Sequence, residues 1–146
     1  MRVPTETEWG NYEADLDHEH AHKMFGGRTN QEMMPYFRRN VIERTDGLRW
    51  MLPIPFCYYM LGFRDFVMDG KFDDTWVSDA ASCFLDLILE KLEKQPEYVK
   101  PIMQELLPAA RHVARNQSSF GATEAIYGNF LEKLERIESA FETWSS

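Results

Sequence analysis

A short acidic segment near the N-terminus brings together the side-chain types that bind transition metals. Residues 15–22 read Asp-Leu-Asp-His-Glu-His-Ala-His. If this segment is helical, a rotation of about 100° per residue places Asp15, His18 and His22 in one sector of the helix surface. Two imidazoles one turn apart, preceded by a carboxylate, suit a divalent ion such as zinc or nickel, with a fourth ligand from elsewhere in the chain. The segment therefore supports one hypothesis, a metal-binding protein or a metal-dependent hydrolase.

The same residues also have a purely structural interpretation. They would form the solvated polar face of an acidic surface helix, with His20 turned toward an apolar stripe that includes Leu16 and Met24. No complete metallohydrolase signature such as His-Glu-x-x-His is present. Strings of alternating histidines also bind metal without using it. Both interpretations stay open at the level of sequence.

A second group of candidates lies in the aromatic-rich block of residues 50–66, where a charged Arg-Asp pair interrupts an otherwise apolar run. Tyrosine and arginine are enriched in the energetically dominant contacts of protein interfaces. The candidates for a pocket rim or a partner-facing surface are Trp50, Tyr58, Tyr59 and Arg64. The alternative is core structure, in which the tyrosine hydroxyls and the charged pair reach the surface.

The sequence contains no pattern that is typical of a catalytic nucleophile. Cys57 and Cys83 lie in apolar surroundings, and neither has a histidine or basic neighbour that would favour the thiolate. We expect both to be small core residues in a reducing compartment. With no paired acid and base either, we predict no catalytic residue, and a non-enzymatic protein is favoured.

Composition sets the size of the fold and the kind of partner. The 146 residues, 44% of them hydrophobic, predict one helical domain over residues 1–146 with a sizeable core. A formal charge of −8 disfavours nucleic acid and anionic membranes, and suits a basic protein partner. Residues 1–22 carry a net charge of −5 and residues 23–50 a net charge of +3. These two segments could pair within the fold or across a homodimer.

The N-terminal residues lack the apolar stretch of a secretory signal, so we expect a cytoplasmic location. The longest apolar stretch, residues 56–68, is too short to span a membrane.

Hydrophobic spacing predicts an all-α fold, a compact bundle of five to six helices with an irregular Pro-containing segment at about 41–55. Thr5 with Glu8, and Thr29 with Glu32, match capping boxes that begin the first two helices. The first helix is expected to continue to the glycines at 26–27.

Residues 56–68 form the central helix of this prediction, and Gly62 within it would admit a close neighbour. The next helix is expected to be capped by Asp73, Asp74 or Thr75. Farther along, Pro108 predicts a kink or break, and Ser118 or Ser119 is expected to cap the last helix.

These observations favour a small acidic helical protein that acts by binding another protein, as a regulatory module or a homodimer. The alternative function is metal binding through Asp15, His18 and His22.

Overall fold

The computed structural model describes residues 1–72 and 76–145, and within these ranges the protein is all-α, as predicted. The helices are α1 (Glu6–Trp9), α2 (Leu16–Phe25), α3 (Asn30–Arg39), α4 (Val41–Arg49), α5 (Pro53–Asp69), α6 (Val77–Lys94), α7 (Pro96–Val99), α8 (Met103–Arg115), α9 (Glu124–Tyr127) and α10 (Phe130–Ser145). Their number in the described ranges exceeds the five to six expected. One cluster of buried hydrophobic side chains extends from Trp9 in α1 to Ile137 in α10.

Helix α5 is the central element and confirms the helix predicted over residues 56–68. It begins one turn earlier, because Pro53 occupies its first turn, where a missing N–H costs no hydrogen bond. It ends at Gly70, which adopts a left-handed conformation with φ of 71°. Its buried side chains come from all sides of the helix, which is why the sequence is apolar almost throughout.

The predicted close approach at Gly62 is confirmed, and the neighbour is Asn30 at the start of α3. A Cβ atom built on Gly62 would lie 2.1 Å from Asn30 Oδ1. The Asn30 side-chain amide donates to the carbonyl of Tyr58 at 2.8 Å, and the Asn30 backbone N–H donates to the Tyr58 hydroxyl at 3.1 Å. The missing side chain at position 62 thus lets α3 attach to α5 through polar contacts.

The two capping boxes form as predicted, but the first predicted helix is split. Thr5 and Glu8 exchange hydrogen bonds at the start of α1, and Thr29 and Glu32 do so at the start of α3. Helix α1 then stops at Gly10, whose φ of 73° leaves the helical region. A 3₁₀ turn at Tyr12–Ala14 follows before α2 begins. The apolar stripe predicted to run through Leu16 and His20 is therefore wrong for α2. Leu16 is 85% exposed and the His20 side chain 58% exposed, and α2 instead buries Ala21, Met24 and Phe25.

The expectation of an irregular segment at 41–55 is wrong for its first part, which forms α4. Asn40 accepts the backbone N–H of Glu43 at 3.1 Å through its side chain and so caps this helix. Gly47 lies inside α4, where a Cβ would stand 2.6 Å from Met24 Cε. Position 47 is a glycine because α4 packs closely on α2 there. In the sequence, the same glycine suggested a turn.

The second half of the chain differs from expectation at two places. Helix α8 continues through Pro108, and the interruption lies earlier, in the 3₁₀ turn Lys100–Ile102. The last helix begins later than predicted, with Asn129 accepting the backbone N–H of Glu132 at 3.0 Å. The predicted caps at 73–75 lie outside the described residues. In the described ranges no helix combines the length and apolarity needed to cross a bilayer.

Candidate functional site

The three residues proposed as metal ligands are engaged in separate structural contacts. Asp15 is the N-cap of α2, where its Oδ1 accepts the backbone N–H groups of Asp17 at 2.8 Å and His18 at 3.3 Å. His22, one turn before the end of α2, places its Nε2 2.7 Å from Glu6 Oε2. This pair ties α1 to α2.

The two histidine rings belong to a cluster of aromatic side chains. Tyr12 stacks on His22 with ring centroids 3.6 Å apart, and its hydroxyl donates to Glu6 at 3.2 Å. The His18 ring packs against Trp9 and Tyr12. Partial burial lowers the pKa of His18, against the opposing effect of the Asp15 carboxylate.

This arrangement lends little support to a metal centre. Among the residues that the structure describes, no group of three or more His, Cys, Asp or Glu side chains is placed to hold a metal ion. Binding of zinc or nickel by Asp15, His18 and His22 would require the helix cap and the Glu6 contact to open. It therefore stays a prediction.

The structure separates the four candidates of the aromatic block. Tyr58 and Tyr59 lie in the core. The Tyr59 hydroxyl oxygen lies 2.8 Å from the carbonyl oxygen of Phe25 and 2.7 Å from that of Arg28, and either carbonyl can accept its hydrogen bond. They hold the glycine turn between α2 and α3, so the core alternative describes them and they offer no surface to a partner. The partly exposed Arg64 pairs with Asp65 at 2.8 Å.

Trp50 is the member of that set with a large exposed apolar surface, and it has neighbours of the same kind. Trp50, Leu52 and Ile54 are 44%, 36% and 54% exposed. Met51, between Trp50 and Leu52, and Pro55, directly after Ile54, are buried. The turn from α4 to α5 therefore presents three large apolar side chains within five residues, here called the apolar edge (Trp50, Leu52 and Ile54).

A groove of about 430 Å³ runs beside the apolar edge. Trp50, Met51 and Leu52 line it from the turn, Arg49 from α4, and Glu90, Lys94, Gln95 and Tyr98 from the end of α6 through α7. The groove is open to solvent, and half of its lining side chains are charged or polar.

Lys91 is buried next to the segment that carries the apolar edge. It is 1% exposed, and its ammonium group donates to the carbonyl of Arg49 and to Gln95 Oε1, both at 2.8 Å. The same group lies 4.9 Å from the ring centroid of Tyr98 and 5.3 Å from that of Phe56, close enough for cation–π attraction. The hydrogen bond to Arg49 satisfies the last carbonyl of α4, directly before Trp50.

Burial lowers the pKa of Lys91 to about 8. Sequence reasoning missed this residue, although a signal was present. Lys91 stands three and four residues after Ile88 and Leu87, on the apolar stripe of α6, where a charged side chain must be buried or bend outward.

The two cysteines are partly buried and unpaired, as small packing residues are. Cys57 donates from Sγ to the carbonyl of Tyr98 at 3.1 Å, and burial raises its pKa to about 11. Burial also raises the pKa of Cys83. Both side chains therefore stay protonated and weakly nucleophilic at neutral pH.

A second groove, of about 550 Å³, lies between α8 and the start of α10. Its walls are mostly small or polar, and Gln117 spans it with hydrogen bonds to the carbonyls of Ala122 and Gly128, at 2.9 and 2.7 Å. Leu131 adds one exposed apolar side chain. This groove lacks the aromatic anchor that the apolar edge has.

The apolar edge and its groove thus offer binding surface, held in place by buried neighbours and a buried cation.

No protein-family model matches the chain, and neither a curated protein nor a solved structure does.

Proposed function

We propose that this protein is a non-enzymatic binding module that docks a basic partner protein on its apolar edge. The observation that carries the proposal is the exposure of Trp50, Leu52 and Ile54 together beside a groove. Tryptophan is among the residue types that most often dominate binding energy. Isolated exposed apolar residues are ordinary, whereas three exposed large apolar side chains within five residues are a concentration of apolar surface.

The apolar edge is preorganised for binding. Buried Met51 and Pro55 anchor the segment from within, and Lys91 holds the end of α4 through the carbonyl of Arg49. A surface that is already ordered loses less conformational entropy on association. When a partner buries these apolar side chains, the favourable free energy of burial is therefore reduced only slightly by the loss of conformational entropy.

The charge beside the edge supports a basic partner. Gly10 lies against Leu52, since a Cβ at Gly10 would be 2.5 Å from Leu52 Cδ1, and Gly10 belongs to the acidic segment of residues 1–22. Four carboxylates of that segment form no ion pair within the described part of the chain; they are Glu13, Asp17, Glu19 and Asp15, the last of which caps α2. Positive groups on a partner would find these carboxylates available and would be steered toward the edge.

The proposal predicts site-specific crosslinking in cells. A photo-crosslinking phenylalanine analogue placed at Ile54 is expected to capture one protein with a basic contact surface. The same analogue at Leu131, which is 55% exposed against 54% for Ile54, is the matched control and should not capture that protein. Mass spectrometry of the crosslinked products identifies what is captured at each position.

Three results would contradict the proposal. Equal capture of the same proteins at both positions would mean that the edge has no selectivity. Capture of a second copy of this chain alone at Ile54 would replace the basic partner by a homodimer. Capture of an acidic protein alone would remove the charge argument.

A further inference from the structure

Three arginine side chains converge on the ring of Tyr36, which is not one of the residues that form the apolar edge. The guanidinium carbons of Arg28, Arg44 and Arg39 lie 5.1, 5.3 and 5.4 Å from its ring centroid. Because a ring has two faces, at least two of these cations share one face. Helix α3 supplies Tyr36 and Arg39, α4 supplies Arg44, and Arg28 comes from the turn before α3. We call these four residues the arginine cluster.

Much of the hydrogen-bonding capacity of the cluster is unused. Arg28 donates to the backbone carbonyls of Lys23 and Met24. Arg39 makes no hydrogen bond or ion pair with any residue in the ranges 1–72 and 76–145. Arg44 donates from one terminal nitrogen to Met24 Sδ, and its buried Nε has no acceptor among these residues. A buried guanidinium N–H without an acceptor is costly, so the protein itself leaves a donor of Arg44 unsatisfied.

Two carboxylates near the cluster are held by other groups. Glu43 lies 3.6 Å from Arg44, but it also accepts from Asn40 at 3.3 Å and lies 3.7 Å from His20. Glu32 accepts the backbone N–H of Thr29 in its capping box, and Arg28 acts on it only through a longer-range attraction. Three guanidinium groups therefore face two carboxylates, and positive charge remains in excess.

The acidic segment at the N-terminus does not neutralise this excess. In the described part of the chain, no carboxylate of residues 1–22 pairs with a basic side chain of residues 23–50. The pairing within the fold that charge alone suggested is thus absent from these ranges. A protein of net charge −8 keeps a local positive site here.

We propose that the arginine cluster binds a dianionic phosphate group, either free or carried on a monoester. A guanidinium donates two parallel hydrogen bonds to an oxyanion, which makes arginine the residue type best matched to phosphate. A phosphate monoester offers three acceptor oxygens and about two negative charges. At least two of the three guanidinium groups share one face of Tyr36, and two cations match the two charges of a phosphate dianion, whereas a single carboxylate carries one charge. Cation–π attraction to Tyr36 holds the three cations near one another.

The test is calorimetric titration of the intact protein with phenyl phosphate, inorganic phosphate and malonate, at about pH 8, where the phosphates are dianions. We expect saturable binding of one phosphate per chain, weakened about tenfold by Arg39→Gln and by Arg44→Gln. Arg115→Gln is the charge-matched control, because Arg115 is exposed on α8 and lies outside the cluster. Its affinity should stay within about twofold of the wild type.

The phosphate titrations also distinguish two sources of the anion. Tighter binding of phenyl phosphate indicates a phosphate carried on a larger molecule, and tighter binding of inorganic phosphate indicates the free anion. Either result supports the site.

The proposal is overturned by any of three results. Binding that is unchanged in Arg39→Gln would show that the cluster does not hold the anion, and this exposed position decides the matter even if Arg44→Gln fails to fold. Equal weakening by Arg115→Gln would show an effect of overall charge. Malonate bound as tightly as the phosphates would show no selectivity for phosphate.

Discussion

Replacing Gly62 by alanine is expected to lower the free energy of unfolding by about 3 kcal/mol. The new Cβ would lie 2.1 Å from Asn30 Oδ1 and 2.9 Å from Asn30 Cβ, so α3 must move away from α5. The hydrogen bonds from Asn30 to Tyr58 would be lost with that movement. Denaturant unfolding of the two proteins, followed by circular dichroism, measures the difference.

A double-mutant cycle shows whether the close approach is the cause. Asn30→Gly removes all three atoms that the new methyl group would meet. In that background, Gly62→Ala should no longer destabilise the protein, because alanine is favoured over glycine inside a helix by about 1 kcal/mol. An equal loss of stability in both backgrounds would contradict the packing described for α3 and α5.

The stability of the wild type is expected to rise by about 2 kcal/mol relative to Lys91→Met between pH 8 and pH 10.5. Burial lowers the pKa of Lys91 from 10.5 to about 8, so in this window the unfolded chain binds the proton more strongly than the folded chain does. Stability rises with pH wherever the unfolded state holds more protons. The penalty of burying the charge is therefore full below pH 8 and is relieved as the amine loses its proton.

The measurement is denaturant unfolding of both proteins at several pH values in that window. Lys94→Met is the matched control, because Lys94 is exposed on the following turn of α6. Its stability should run parallel to that of the wild type, and tyrosine ionisation cancels in the comparison. A Lys91→Met profile that also runs parallel to the wild type would mean that Lys91 is not buried as a cation beneath the apolar edge.

Local signals in the sequence predicted those parts of the fold that depend on local interactions. The capping boxes at Thr5 and Thr29 formed, since each satisfies orphan N–H groups with a side chain three residues away. The apolar composition of residues 56–68 identified the central helix, and Gly62 indicated the close approach on it.

Long-range packing decided the elements that the sequence misplaced. Gly47 looked like a turn residue, yet it lies within α4 because Met24 and Phe25 press against that position. Gly10 splits the first predicted helix, and the apolar spacing that continues across the split cannot reveal it. A glycine therefore marks either a bend or a contact, and only its distant neighbours decide between them.

The candidate site was predictable only in part. Trp50, Tyr58 and Tyr59 were named together as candidates for a pocket rim or a partner-facing surface, with core structure as the alternative. The sequence could not separate them, because the burial of Tyr58 and Tyr59 depends on contacts with the turn before α3 and with its first residue. The convergence of arginines on Tyr36 required the angle between α3 and α4, because the sequence indicated only that residues 23–50 are basic.

The most direct test of the proposed binding function is the affinity of the partner captured at Ile54 for two tryptophan variants. Trp50→Ala is expected to weaken binding about 30-fold or more, the loss typical of a central aromatic anchor. Trp144→Ala removes a tryptophan of similar exposure, 48% against 44%, from the far end of α10 and should change the affinity by less than about twofold. Equal affinities of the two variants for the partner would contradict docking on the apolar edge.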